Sequence, residues 1–489
     1  MATGGSSIAS RWGLWIGLAA FTTVLALPAP EALAPEGWRT AAVAVLMAVW
    51  WITEAIPIPA TALLPLVLYP TLSVLDMPDA AAPYAQEIIF LFMGGFFIAM
   101  AMERWGLHRR IALAIVAAVG TSPRRIILGF MVGTAFLSMW ISNTATATMM
   151  LPIALAVGEM FRPKEQEGRY NFGVALMLGI AYAASIGGVA TLIGTPPNAI
   201  LAGAADELLG VQIGFVEWMG VGLPVTIVFL PVAWLILTRV IYPPGKISGD
   251  AGTLLANERA RLGAMSAGER IVAVVFVLAA AAWVMRSPKS FGAVTIPGIQ
   301  TWAPWVRDST IAMGAALILF LTPVNRRTGA KALDWETARR LPWGVLILFG
   351  GGLSLARAMD QSGLASWIGG GVASLSSLPT WVILGGVAAL FVFLTEVTSN
   401  AATTTMAMPI MVGAAVGLDL PPLTLMATAA VAASMAFMLP VATPPNAIVF
   451  GSGMVTIPEM TRAGFILNIL AIALITVIAT LLVPLLLIS

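Results

Sequence analysis

The sequence predicts an all-α polytopic membrane protein: eleven spans plus two re-entrant hairpins in an inverted repeat. Three observations carry this. The 489 residues are 59% hydrophobic and 10% charged, with apolar runs of about 20 residues that match the ~30 Å hydrocarbon core of a bilayer. Two further apolar segments, 126–160 and 381–417, hold polar clusters at their middles, "WISNTATATMMLP" and "TSNAATTTMAMP". Several motifs then recur, in the same order, in the two halves of the chain.

Spans are expected at 13–33, 38–56, 57–74 and 88–106, then at 172–212, 219–241, 269–286, 308–323, 342–359, 422–456 and 463–487. The first, "GLWIGLAAFTTVLAL", lacks a small-residue cleavage pattern and reads as a retained span rather than a signal peptide. Arg104, Arg109, Arg110, Arg124 and Arg125 precede the segment 126–160, and Arg162, Lys164 and Arg169 follow it. Both flanks therefore carry the cytoplasmic signature, and a segment that returns to its own side is a hairpin. Alternating from there puts most of the 25 basic residues inside, including Arg11, Arg239, Lys246, Arg270, Arg326, Arg340 and Arg462. Outside fall Arg39, Arg286, Lys289, Arg307 and Arg357, beside a loop at 75–87 whose charges are Asp76, Asp79 and Glu87. The N-terminus is expected in the cytoplasm and the C-terminus outside. Residues 242–268, with "PPGKISGDAGTLLANERARLG", form a polar linker between the halves.

"LFMGGFFIAMAMERWGL" from Leu91 matches "LFGGGLSLARAMDQSGL" from Leu348 at an offset of 257, and Ser142-Asn143 matches Ser399-Asn400 at the same offset. "IGTPPNAI" from Ile193 and "VATPPNAI" from Val441 are offset by 248. Three ordered pairs imply an internal duplication. Five crossings separate the two hairpin tips, and an odd number inverts the second copy. Inverted repeats with interrupted helices meeting near the midplane are the architecture of many secondary transporters.

The paired prolines remove two amide donors and break each helix. Broken backbone at membrane depth survives only against protein or a water-filled cavity. Each break, like each hairpin tip, offers free carbonyls to a cation and helix-start amides to an anion. Residues 126–158, 170–205, 397–418 and 422–458 contain no Asp, Glu, Lys, Arg or His, so they hold no material for carboxylate or histidine catalysis or for a transition-metal cage. The chain has no cysteine, and its one histidine, His108, is expected as a solvated residue of a basic loop. What remains are hydroxyls, the amides of Asn143 and Asn400, and backbone, a set suited to a small anion bound with hard cations such as sodium. One Ser-Asn-Thr cluster alone would serve as helix-packing glue; two in register, each followed by a Thr-Pro-Pro-Asn break, point to a site. Glu54 and Glu396 stand as proton or cation sites or as structural hydrogen-bonding groups. The methionines and tryptophans read as packing and interfacial anchors.

At "SNTATA", "SNAATT", "GTPPNAI", "ATPPNAI" and "WWITEAIPIPATALLP" the chain resembles the divalent anion sodium symporter family, carriers of dicarboxylates, citrate and sulfate, over nearly its whole length. The resemblance implies a homodimer in the bilayer and an elevator-type transporter. Scaffold spans would occupy 1–125 and 269–380, and hairpins with transport-domain spans 126–241 and 381–489, around the linker 242–268. It implies a first sodium site at Ser138, Ser142, Asn143 and Gly194, and a second at Thr395, Thr398, Asn400 and Ala442. Substrate carboxylates would meet Ser142, Asn143 and Thr144 on one side and Ser399, Asn400 and Ala401 on the other, with Thr195, Thr443 and Pro444 nearby. The family's most symmetric members have threonine where this chain has Ala401, which bears on which anion is carried.

The expectation is therefore a sodium-coupled importer of C4-dicarboxylates such as succinate, fumarate or malate. Sodium-independent dicarboxylate exchange and sodium-coupled citrate or sulfate transport stand as alternatives. An anion channel is a further reading, set against the paired broken helices. An enzyme, an organic cofactor and a nucleic-acid partner are not expected.

Overall fold

The computed structural model describes residues 8–162, 170–245, 251–291, 294–325 and 327–487. Lys164, Arg169, Lys246 and Arg326, used above to assign sides, lie outside them. The first half runs through α1 (Ile8–Ala26), α2 (Pro35–Thr53), α3 (Ile58–Thr61), α4 (Leu64–Thr71) and α5 (Met77–Ala81) to α6 (Glu87–Trp105) and α7 (Leu107–Val119). The arms α8 (Pro123–Ser138) and α9 (Asn143–Met160) follow, then α10 (Asn171–Gly188), α11 (Pro196–Leu209) and α12 (Phe215–Leu235). After α13 (Ala251–Arg261) come α14 (Ala267–Val284), α15 (Asp308–Leu321), α16 (Trp335–Ala338), α17 (Trp343–Gln361) and α18 (Leu364–Val372). The chain ends with α19 (Thr380–Leu394), α20 (Asn400–Leu418), α21 (Pro422–Ala433), α22 (Pro444–Phe450) and α23 (Ile457–Leu487). Two short antiparallel strand pairs lie at 289–296 and 323–331.

From α6 to α12 and again from α17 to α23 the elements correspond one for one. Each series begins with a helix that turns at a left-handed glycine, Gly106 at φ 75° or Gly363 at φ 74°, 257 positions apart. Only glycine takes that turn without strain. The following helices, α7 and α18, were not foreseen: they are too short to read as spans, yet α7 buries Leu107, Ala112, Leu113 and Val116. His108 accordingly sits half-buried on α7, not solvated in a loop, with Nδ1 3.0 Å from the Met102 carbonyl oxygen, and burial lowers its pKa.

Six helical stretches among the described residues are long and apolar enough to cross a membrane, while Ile58–Thr71, Asp308–Leu321, Thr380–Leu394 and Pro422–Ala433 are apolar but shorter. The expected first span stops at Ala26, short of residue 33, because Pro28 and Pro30 follow. The expected span 57–74 divides into α3 and α4 around Pro57, Pro59 and Pro65. Residues 172–212 and 422–456 divide at Thr-Pro-Pro-Asn. Thr195 and Thr443 take extended backbone, and the prolines occupy first-turn positions where an amide has no helical partner. α10 is buried from Phe172 to Gly188, and α21 from Leu423 to Ala433, so both broken helices run through the protein interior.

Candidate functional site

Four helices begin at one cavity of about 1510 Å³. Ser142, Thr195, Ser399 and Thr443 occupy the N-cap positions of α9, α11, α20 and α22, the Ser142 and Thr443 hydroxyls accepting an amide of the first turn, and all four line that cavity. The two hairpin tips thus direct free amides at one space, and the two breaks turn the positive ends of α11 and α22 toward it, although their paired prolines carry no amide hydrogen. Such an end favours an anion by roughly 0.3–1 kcal/mol, more where partly buried. Only the two hairpin tips among these four ends present free amides at their first positions, so the set suits a small anion but leaves part of the charge of two carboxylates to other groups.

Each break is held open by its own asparagine. Asn198 Nδ2 donates to the carbonyls of Gly188, Val189 and Thr191 at 3.0, 3.2 and 2.7 Å. Asn446 Nδ2 donates to Ala436 and Leu439 at 3.3 and 3.0 Å. These amides satisfy carbonyls of the unwound stretches between the half-helices, a role that sequence reasoning left unassigned although the asparagine stood in both motifs.

Two oxygen clusters lie beside the cavity. Ser138 Oγ is 2.6 Å from Asn143 Oδ1 and 2.7 Å from the Ala184 carbonyl oxygen. Thr395 Oγ1 is 2.6 Å from Asn400 Oδ1 and 2.9 Å from the Ala433 carbonyl oxygen. In the second, one hydroxyl proton faces two acceptors, and both clusters gather hydroxyl, amide and carbonyl groups of the kind that hard cations take as ligands. The first cluster has a further feature. The inward end of the Asn143 amide also lies 3.2 Å from the Ala184 and Gly194 carbonyl oxygens. With nitrogen inward the amide donates to both; with oxygen inward the oxygens face one another and require a cation. Gly188 makes room, since a Cβ there would stand 2.6 Å from Asn143 Oδ1.

Of the residues expected at the site, Ser142, Asn143, Thr144, Gly194, Thr195, Thr398, Ser399, Asn400, Ala401, Ala442, Thr443 and Pro444 line the cavity. Ser138 and Thr395 are fully buried behind the two asparagines. The Ser142 hydroxyl accepts the Ala145 amide at 3.2 Å as a helix cap. The Thr398 hydroxyl is turned to the Leu394 carbonyl at 2.8 Å and to Thr403 at 2.6 Å, away from the Asn400 cluster. The carbonyls of Ala184 and Ala433 had no side-chain signal by which a sequence could announce them.

The two acids separate. Glu54 is exposed and lines the cavity, whereas Glu396 is 3% exposed and does not line it. The Glu396 carboxylate accepts the backbone amides of Phe437, Met438 and Leu439 and Asn468 Nδ2, at 2.7–3.1 Å. It is a strut between the second hairpin tip and the second break. Where the cavity reaches exposed charge it meets Glu54, Glu103, Arg104 and Arg340. Arg104 pairs there with Asp334 at 2.6 Å, whose carboxyl is held below the usual carboxylate range by the Thr337 amide and by Arg104.

Helix starts and polar clusters around one cavity, among apolar helices long enough to cross a bilayer, define a multi-pass membrane transporter. The profile of the family described as the sodium:sulfate symporter transmembrane region matches residues 8–488, and the chain belongs to that family. It is 43% identical over 479 residues to the sodium-dependent dicarboxylate transporter SdcS of Staphylococcus saprophyticus, covering 96% of this chain and 91% of that one. It is 43% identical over 484 residues to SdcS of Staphylococcus aureus strain bovine RF122, covering 97% and 91%. Among solved structures, the Alcanivorax borkumensis YdaH transporter shares the fold at a TM-score of 0.59, with 13% identity over 97% of this chain and 98% of that one.

Proposed function

We infer that this protein couples the import of a C4-dicarboxylate, such as succinate, fumarate or malate, to the sodium gradient. The observation that carries the reading is the pair of matched hydroxyl, amide and carbonyl clusters, at Ser138, Asn143 and Ala184 and at Thr395, Asn400 and Ala433, on either side of one cavity that four helix starts face. Two monovalent cations there would balance the two charges of the anion that the helix ends neutralise only in part. The dicarboxylate relatives support that class of anion. Bound sodium would touch Asn143 and Asn400, and substrate would use Ser142, Asn143 and Thr144 opposite Ser399, Asn400 and Ala401, with Thr195, Thr443 and Pro444 as neighbours. Gly194 and Ala442 would add backbone oxygen, while Ser142 and Thr398 would contribute main-chain atoms, their hydroxyls being engaged elsewhere.

We further propose that residues 126–241 and 381–489 form a transport body that moves as an elevator against a scaffold of 1–125 and 269–380, in an inverted repeat with the N-terminus cytoplasmic and the C-terminus outside, and that two copies associate. The one-for-one order of α6–α12 and α17–α23 supports the repeat, and the basic flanks of the first hairpin support the orientation. The deciding experiment is radiolabelled succinate uptake into proteoliposomes, with sodium or potassium outside and with or without internal dicarboxylate. Accumulation that requires sodium and no internal substrate supports symport. Uptake that ignores sodium and requires internal dicarboxylate means exchange and removes the cation assignments. Competition by citrate or sulfate in place of succinate moves the substrate class.

A further inference from the structure

The ion pairs between the two bodies are distributed unevenly. At the exposed end of the cavity the charged pairs join scaffold to scaffold, as Arg104 does with Asp334, or scaffold to linker, as Arg109 does with Glu258. Among the described residues, the pairs that cross from transport body to scaffold are Arg357 with Glu207, at 2.5 Å, and Arg286 with Glu217, at 3.7 Å. Both lie at the opposite end. Glu207 closes α11, one turn short of the left-handed Gly210, and its side chain is only 9% exposed. Both carboxylate oxygens are taken by the scaffold: Oε1 by Arg357 Nε and Oε2 by Gln86 Nε2 at 3.0 Å. Arg357 is itself held, with Nη1 donating to the Asp79 carbonyl at 3.2 Å.

We propose that Glu207 and Arg357, with Gln86, form a latch that fastens the transport body in the state whose cavity opens beside Arg104 and Arg340, and that must release before the site can face the other side. This rests on the two-body reading above. A charged contact that commits both oxygens of a nearly buried carboxylate to fixed scaffold groups is made in one position of a sliding body and broken in another, with Arg357 keeping Asp79 at 3.7 Å as its scaffold partner. Its loss biases the equilibrium without touching the cation clusters or the substrate residues.

The absence of cysteine permits a direct test in the full-length protein. Val441, on the transport body and lining the cavity, is replaced by cysteine, and its labelling by a membrane-impermeant maleimide is timed in intact cells and in inverted vesicles. In that background, rapid labelling from one face and slow labelling from the other is expected, the slow rate reporting the minor state. Glu207→Gln and Arg357→Gln should each raise the slow rate about tenfold, the effect of one hydrogen bond to a charged group. The double exchange Glu207→Arg with Arg357→Glu should bring it back toward the starting value, and rapid labelling from the first face in every variant shows that the fold survives. If the background is labelled from one face only, with no response to sodium or succinate, two-state access itself fails and the latch with it. If both faces are labelled in the background and the slow rate stays unchanged in both single variants, the latch is overturned while alternating access stands.

Discussion

Glu396 Oε1 accepts the backbone amide of Phe437 at 2.7 Å, 41 positions along the chain, and so joins the second hairpin tip to the second helix break. The equivalent place in the first half, 257 positions earlier, is Met139, whose carbonyl oxygen accepts the Thr191 hydroxyl at 2.5 Å. The two halves therefore fasten tip to break by different chemistry. Glu396→Ala would leave three backbone amides and Asn468 Nδ2 without their acceptor, at about 1–3 kcal/mol for each buried donor. The melting temperature in detergent should fall by several degrees for Glu396→Ala and by less for Glu396→Gln, which keeps one acceptor. Glu54→Gln, at an exposed position, should stay within about 0.5 kcal/mol of the parent. Equal shifts at positions 54 and 396 would refute the strut.

Asn143 and Asn400 each bring one end of the side-chain amide within 2.6 Å of a buried hydroxyl, so each is expected to serve one cation. A ligand at one hundred times its dissociation constant stabilises the folded state by about 2.7 kcal/mol. Sodium should therefore raise the melting temperature over potassium in the parent. Asn143→Ala and Asn400→Ala should each lose about half of that rise, together with most succinate uptake. A full sodium response and near-normal uptake in both variants would remove the cation reading.

Much of this site is legible in the sequence because its elements are irregular in type. Polar residues within apolar runs, and paired prolines within expected spans, have few uses in a membrane protein, so Ser142-Asn143, Ser399-Asn400 and the two Thr-Pro-Pro-Asn motifs mark the cavity at once. What stays hidden depends on backbone or on distance. The carbonyls of Ala184 and Ala433 carry no side-chain signature, and the contact of Glu396 with residues 437–439 needs the fold to bring them together. α7 and α18 are missed because a short amphipathic helix after a glycine turn resembles a loop when read by span length alone.

Ala401 lines the cavity one position after Asn400, where the first half has the hydroxyl of Thr144. Ala401→Thr adds a donor on that side, and one hydrogen bond contributes about 0.5–1.5 kcal/mol. The ratio of inhibition constants for succinate and citrate, measured by competition against labelled succinate, should shift by roughly two- to tenfold, with sodium activation retained. Identical competition profiles would mean that position 401 does not face the anion.

Gly188 offers the sharpest separation of cation binding from folding. It ends α10 with its backbone against the Asn143 amide, and a methyl there would stand 2.6 Å from Oδ1. Alanine in place of glycine favours a helix by up to about 1 kcal/mol, so Gly188→Ala has no reason to melt α10; it has a reason to push the amide out of the first cluster. The expected outcome is a melting temperature in potassium close to the parent's, with about half of the sodium-induced rise lost. Gly371→Ala, at a position in α18 where a Cβ meets nothing within 4 Å, should change neither value. Adding Asn143→Ala to Gly188→Ala should cost no further sodium response, because both changes remove the same cluster and their effects should not add. Additive losses would place Gly188 and Asn143 in separate roles and dissolve the first cluster as a unit.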